Sequence, residues 1–276
     1  MKIFIDTAKL EEIEEAYSCG VLDGVTTNPS LIKKAVDELK EKGEKINMDG
    51  YIKKILRTAR GTPVSLEVTE REYEKMVEQA KKIYKMFDPV AHNVYIKIPV
   101  NPSFEAEGKE FDGIKAVKTL SKARIPVNCT LVFTPEQALL AAKAGAKFVS
   151  PFAGRIDDYI RAMNNIQFEK PDYFPSFGWR EGDRILEDNG IISGIDLVKQ
   201  IVEIFKKYNI KAQVLAASMR NARQVREAAL VGADIATMPL YVIKELLAHY
   251  KTLEGMKKFT EDIVDEYSAL TRNPKK

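Results

Sequence analysis

Asn93-Val94-Tyr95-Ile96-Lys97-Ile98-Pro99-Val100 reads as a β-strand. Val94, Ile96, Ile98 and Val100 alternate with Tyr95, Lys97 and Pro99 in the period of two that a pleated backbone imposes. Lys97 is the anomaly. An ammonium inside an apolar run either reaches solvent or gives up its charge on burial, and a buried neutral amine is a nucleophile toward carbonyls. A lysine that protects a sheet edge from aggregation is the plainer reading of one such residue. The neighbouring strands decide between the two.

Seven further short β-branched runs lie at residues 2–7, 24–28, 64–68, 126–132, 147–152, 211–218 and 233–240. Amphipathic, charge-rich helical patterns separate them at 9–17, 72–87, 113–123, 135–144, 194–208 and 221–231. Several open on a capping residue, as at Thr134-Pro135-Glu136 and Ser193-Gly194, and several close at a glycine: Gly20, Gly145, Gly232. Strand–helix alternation implies a parallel sheet, and eight strands close a barrel. The expected fold is therefore α/β, a (β/α)8 TIM barrel with extra C-terminal helices. An open doubly wound sheet is the alternative, and the lack of a glycine-rich loop after the first strand weighs against its nucleotide-binding form.

Three stretches depart from plain alternation. Residues 37–61 read as a long connection with one or two extra helical turns, and 102–111 as a polar turn. A long insertion at about 157–192 carries Pro171, Pro175, Gly178, Trp179, Gly182 and Gly190, a length that marks an active-site cover or a mobile insertion. From about 241, one or two further helices are expected to 267, then a polar tail. With no internal repeat, residues 1–276 read as a single barrel domain.

The bulk numbers exclude several classes. The length suits one barrel, and 43 basic against 40 acidic side chains, interspersed and summing to +3, are too balanced for a nucleic-acid binder. No apolar run nears membrane-spanning length. Cys19 and Cys129 make no disulfide framework and no leader precedes the first strand, so a cytoplasmic setting is expected. His92 and His249 stand far apart without ligand spacing, so neither a metal nor a His-based triad is expected.

If the strands close, one parity of each points inward and chemistry collects at the C-terminal ends. Phe4 and Asp6 share a face, as do Thr26 and Asn28, Ser65 and Glu67, Asn128 and Thr130, and Phe148, Ser150 and Phe152. On strand seven, Ser218 and Arg220 fall in register with Val214 and Ala216. Polar groups thus sort onto the interior parity late in each strand, which moves Lys97 from edge protection to an active site. Thr26, Thr130 and Ser150 also suit satisfied core hydroxyls; interior carboxylates such as Asp6 and Glu67 need a partner or a task.

Ile5-Asp6-Thr7, Gly24-Val25-Thr26-Thr27-Asn28-Pro29-Ser30, Ile96-Lys97-Ile98-Pro99, Asn128-Cys129-Thr130-Leu131, Ser150-Pro151-Phe152-Ala153-Gly154-Arg155-Ile156-Asp157 and Ala217-Ser218-Met219-Arg220-Asn221 together resemble the transaldolase family, in order and spacing, from Lys2 to Leu240. The resemblance implies a class I aldolase-type barrel without metal or cofactor, acting on sugar phosphates. Lys97 would form a Schiff base with a ketose phosphate, and Asp6 would shuttle the proton of carbon–carbon cleavage. Glu67 and Thr130 would hold the water of imine chemistry. Asn28, Asn128 and Ser150 would hold the dihydroxyacetone portion, with Thr26 and Phe152 beside it, and Arg155, Ser218 and Arg220 the phosphate. Pairing of Arg155 with Asp157 or Asp158 is the plainer alternative for that residue.

Relatives that act as fructose-6-phosphate aldolases carry glutamine and tyrosine where this chain has Glu67 and Phe152, so the transaldolase pairing is expected here. The resemblance therefore implies transfer of dihydroxyacetone from fructose 6-phosphate or sedoheptulose 7-phosphate to erythrose 4-phosphate or glyceraldehyde 3-phosphate. Fructose-6-phosphate aldolase and a non-catalytic sugar-phosphate-binding barrel are the rivals. Trp179 and Arg180 of the insertion suit a structural or interface role, and the C-terminal helices a homo-oligomer contact.

Overall fold

A computed structural model describes residues 1–103, 105 and 107–270. Eight parallel strands close on themselves: β1 (Lys2–Asp6), β2 (Gly24–Thr26), β3 (Val64–Glu67), β4 (Val94–Pro99), β5 (Val127–Val132), β6 (Phe148–Pro151), β9 (Gln213–Ala216) and β10 (Ile235–Met238), with β10 returning to β1. A short antiparallel hairpin, β7 (Arg180–Glu181) and β8 (Arg184–Ile185), stands apart. The expected (β/α)8 barrel is the observed fold. Each strand lies within the run read as β from its alternation.

The helices that surround the barrel are α1 (Leu10–Ser18), α2 (Pro29–Glu41), α3 (Met48–Thr58), α4 (Tyr73–Phe87), α5 (Asp112–Lys122), α6 (Pro135–Ala144), α7 (Ala153–Met163), α8 (Gly194–Lys207), α9 (Ala222–Val231) and α10 (Leu240–Glu245). Helices α11 (Tyr250–Glu261) and α12 (Asp265–Ala269) follow. Local signals fix their ends. Thr134 and Gln137 form a reciprocal capping box at the start of α6, and Gly145, at φ 105°, ends it in the left-handed region.

Two connections hold more helix than expected. The 37–61 stretch contains the end of α2 and all of α3, capped by Asn47, which accepts from Gly50 N at 3.2 Å. The 157–192 insertion begins inside α7. The periodicity was obscured there because α7 starts directly after β6, without a polar break. Phe174, Leu186 and Ile191 of the segment join the main hydrophobic core under the helices, and Trp179 packs at 6.2 Å from Phe174. Positions 104 and 106 of the expected 102–111 turn, and the polar tail from 271, lie outside the described residues.

Side-chain parity divides the molecule into two cores. Ile5, Val25, Leu66, Ile96, Ile98, Val127, Cys129 and Val149 face outward and pack under the helices. Phe4, Phe148, Leu215 and Ile235 face inward with Tyr95. The Tyr95 and Phe148 rings stack at 4.6 Å, and Phe4 meets Phe148 edge-on at 6.0 Å. This aromatic layer fills the N-terminal half of the barrel and leaves the C-terminal half to polar side chains.

Strand seven (β9) corrects the expected register. Val214 and Ala216 belong to the outer core, whereas Leu215 and Ala217 face inward. The reason is at Ser218, whose φ of 63° breaks the two-residue alternation, so Ser218 and Arg220 reach the barrel mouth past the break. Leu131, at φ 55° beside a register shift between β5 and β6, likewise turns toward the inner core rather than sharing a face with Cys129.

Gly24 is required by the aromatic layer, since a Cβ there would stand 2.6 Å from Phe4 Cζ. Phe4 is fully buried and has no room to withdraw. Gly24→Ala is expected to cost about 1–3 kcal/mol in urea unfolding, and less in a Phe4→Leu background. Equal costs in both backgrounds would place the strain elsewhere.

Candidate active site

At the C-terminal mouth of the barrel a cavity of about 320 Å³ is lined by Asp6, Thr26, Asn28, Lys97, Ser150, Phe152, Arg155, Ser218 and Arg220 among others. Nine of the twelve expected site residues therefore meet in one hollow. Register explains it. Asp6 pairs with Thr26, Glu67 with Lys97, and Lys97 with Asn128, so inward-facing groups of adjacent strands fall side by side. Glu67, Asn128 and Thr130 complete the set on β3 and β5, the strands that flank β4.

Lys97 is 4% exposed. Its Nζ stands 3.2 Å from Glu67 Oε2, donates to the Thr27 carbonyl at 3.3 Å, and lies 5.7 Å from the centre of the Phe152 ring. A charge taken out of water needs such partners, and a pair of this kind is weak evidence for stability in itself. It is a way of holding an amine in a dry site.

The carboxyl of Asp6 is a second buried acid. Burial raises it above the ordinary carboxylate range, while Lys97, the hydrogen bond from Thr26, Arg155 and Arg220 pull it back. Thr26 Oγ1 donates to Asp6 Oδ1 at 2.7 Å and is itself 2.6 Å from Thr237 Oγ1, so Thr237 is the donor in that contact. A carboxyl balanced between burial and nearby cations is suited to take and return a proton.

Between the strands, Ser150 Oγ donates to Asn128 Oδ1 at 2.7 Å, and Asn128 Nδ2 donates to Ser65 Oγ at 3.1 Å. Thr26 and Ser150 are thus satisfied hydroxyls as well as cavity residues. Thr130 Oγ1 is different: it is buried with no hydrogen-bond partner among the described residues. A buried hydroxyl left unpaired costs free energy unless a bound molecule meets it. Asn28 lies just past β2 and caps α2, accepting from Leu31 N at 3.0 Å.

The cationic end has a defined order. Arg155 stacks over Phe152 at 4.9 Å and is exposed. Neither expected acid pairs with it among the described residues: Asp157 turns to Gly194 and Gln224, and Asp158 Oδ2 receives Arg220 Nη2 at 2.7 Å. Gly154 lets this happen, because a Cβ there would stand 2.1 Å from Ser218 O and 2.6 Å from Arg220 Nε. Three polar lining residues escaped the sequence reading. Thr237 was legible from the alternation of Ile235 and Thr237 on the last strand; Lys170 and Tyr241 come from irregular or helical segments that carry no inward period. Trp179 does not reach the cavity.

Among the described residues no cluster of three or more His, Cys, Asp or Glu side chains could hold a metal ion, and no helix is long and apolar enough to cross a membrane. Residues 3–273 match the family model described as transaldolase/fructose-6-phosphate aldolase. A protein of Thermoplasma acidophilum named probable transaldolase is 43% identical over 262 residues, covering 95% of each chain. Probable transaldolases of Chlorobaculum parvum and Bacteroides thetaiotaomicron are also 43% identical, covering 95% of this chain and 97% of theirs.

Behind Arg220, buried Asp157 accepts from Gly194 N and Gln224 Nε2, both at 2.7 Å, and Gln224 Oε1 accepts from Arg220 N at 2.8 Å. Burial pushes the Asp157 carboxyl up to about 7, against the two hydrogen bonds and Arg161. The folded chain therefore holds this proton more tightly than the unfolded one, and the group's contribution to stability is lost as pH rises from about 4 to about 7. The unfolding free energy of the protein relative to its Asp157→Asn variant is expected to fall by on the order of 2–3 kcal/mol between about pH 5 and pH 8, read by urea titration. A pH-independent difference would mean that the hydrogen bonds keep Asp157 ionised throughout.

Proposed function

The chain belongs to the transaldolase/fructose-6-phosphate aldolase family, and from that premise we propose that it is a transaldolase working through a Schiff base on Lys97. The observation that carries the reading is the Lys97–Glu67 pair, 3.2 Å apart, with Lys97 lining a cavity that Asp6 and Arg155 line as well. A binding module has no need of an amine and two carboxyls in one dry hollow.

In this reading Lys97 Nζ adds to the C2 carbonyl of fructose 6-phosphate or sedoheptulose 7-phosphate, with Glu67 taking its proton. Glu67 and the unpaired hydroxyl of Thr130 hold the water that leaves as the carbinolamine becomes an imine and returns on hydrolysis. Asp6 removes the C4 hydroxyl proton, the C3–C4 bond breaks, and its electrons pass to the iminium as an enamine while the aldose phosphate departs. The Thr237–Thr26–Asp6 chain supports the carboxylate that does this. Asn28, Asn128 and Ser150 hold the dihydroxyacetone hydroxyls, and Arg155, Ser218 and Arg220 the phosphate. The enamine then adds to erythrose 4-phosphate or glyceraldehyde 3-phosphate and the proton returns. Phe152, whose ring faces both Lys97 and Arg155, offers no proton to release dihydroxyacetone early.

We read residues 1–276 as one catalytic barrel that needs no metal or cofactor. Two unpaired cysteines, exposed Cys19 and buried Cys129, support a reducing, cytoplasmic setting. Helix α11 has no buried residue, and Tyr250, Leu253, Met256 and Phe259 are each more than half exposed, which supports a homo-oligomer.

The test is fructose 6-phosphate turnover with and without erythrose 4-phosphate. Sedoheptulose 7-phosphate is expected only with acceptor, with free dihydroxyacetone a minor product, and Lys97→Ala is expected to lower the rate by about three orders of magnitude or more. Equal dihydroxyacetone release without acceptor would indicate the aldolase. Binding of the sugar phosphate without any turnover would indicate the non-catalytic barrel.

A further inference from the structure

One cation of the cavity has no role in the scheme above. Lys170, from the segment between α7 and α8, lines the hollow together with Arg155 and Arg220. It is exposed and has no ion pair among the described residues. Hydrogen bonds hold the turn around it. Asp172 N donates to the Glu169 carbonyl at 3.0 Å, and Glu169 N to Asp172 Oδ2 at 2.8 Å, which closes the turn around Lys170.

That turn is tied to the two elements that carry the arginines. Arg161, six residues beyond Arg155, donates to the Asp172 carbonyl at 3.0 Å and is held between the Phe168 and Phe174 rings at 4.8 and 5.0 Å. Asn221, next to Arg220, donates to the Pro171 carbonyl at 3.1 Å. The backbone on both sides of Lys170 is thus anchored while its side chain is left toward the cavity.

Charge balance gives this placement a purpose. Arg220 is compensated by Asp158 at 2.7 Å. Lys97 is likewise paired with Glu67, so apart from Lys170 only Arg155 of the lining cations is left to oppose a phosphate monoester, which carries about −1.5 to −2 at neutral pH. Lys170 supplies the missing charge. Its flexible stem lets one ammonium follow phosphates carried on sugars of different length, which a fixed guanidinium does less well.

We propose that Lys170 is a third phosphate-binding cation of the site and a determinant of its preference for phosphorylated sugars. The inference rests on the sugar-phosphate reading of the cavity but not on imine chemistry. Its test is calorimetric binding of sorbitol 6-phosphate, which has no carbonyl for Lys97 to attack, to the full-length protein. Lys170→Gln is expected to weaken binding about tenfold and Lys170→Arg by no more than about threefold, with unchanged circular dichroism. In turnover, Lys170→Gln raises KM for fructose 6-phosphate by a similar factor and leaves kcat within about twofold. Unaltered sorbitol 6-phosphate affinity in Lys170→Gln, equal losses in the Gln and Arg variants, or no binding by the unmodified protein would each overturn the proposal. Tight, Lys170-dependent binding in a protein without transferase activity would uphold it while removing the transaldolase reading.

Discussion

A lysine side chain inside a closed barrel has no route to water except through the mouth, and its charge must be met by the strands on either side. That constraint organises this molecule. Eight parallel strands pair with one another around a closed ring, so the interior is left to side chains. Lys97 on β4 is answered by Glu67 on β3 and by the Thr27 carbonyl beyond β2. The pair is costly to build into a dry interior and contributes little to stability there. It persists where the amine has something to do.

The rest of the interior divides around it. Phe4, Tyr95 and Phe148 fill the N-terminal half, so the polar half stands on a rigid aromatic floor. Above that floor the acid–base groups sit against the strands, where backbone hydrogen bonds fix them. The groups proposed for phosphate come instead from strand ends and helices, where Gly154 allows Arg220 to lie close and Asp158 holds its guanidinium. The proposed chemistry is thereby placed on the stiffest part of the fold, and the proposed recognition of a charged tail on the part that can adapt.

Much of this was legible in the sequence because a regular strand converts spacing into geometry. Phe4 and Asp6, Ser65 and Glu67, Asn128 and Thr130, and Phe148 and Ser150 share the faces that their even spacing requires. The reading failed where the backbone leaves the extended region. Leu131 and Ser218 adopt positive φ without being glycines, which nothing in an alternating pattern announces. Val214 and Ala216 were accordingly assigned to the wrong side. Helix α7 was hidden by its abrupt start after β6, and Lys170 by a turn whose position depends on contacts with Arg161 and Asn221, distant in sequence or set by stacking. Periodicity describes elements; it does not describe how irregular segments return to them.

The central claim is that the Lys97 amine is the nucleophile of this barrel. Borohydride reduction of the protein mixed with fructose 6-phosphate, followed by intact mass and peptide mapping, addresses it directly. A dihydroxyacetone-sized adduct is expected on the peptide containing Lys97, diminished when erythrose 4-phosphate is present to accept the unit. An adduct on another lysine, or none in a folded protein that binds the sugar phosphate, would contradict it.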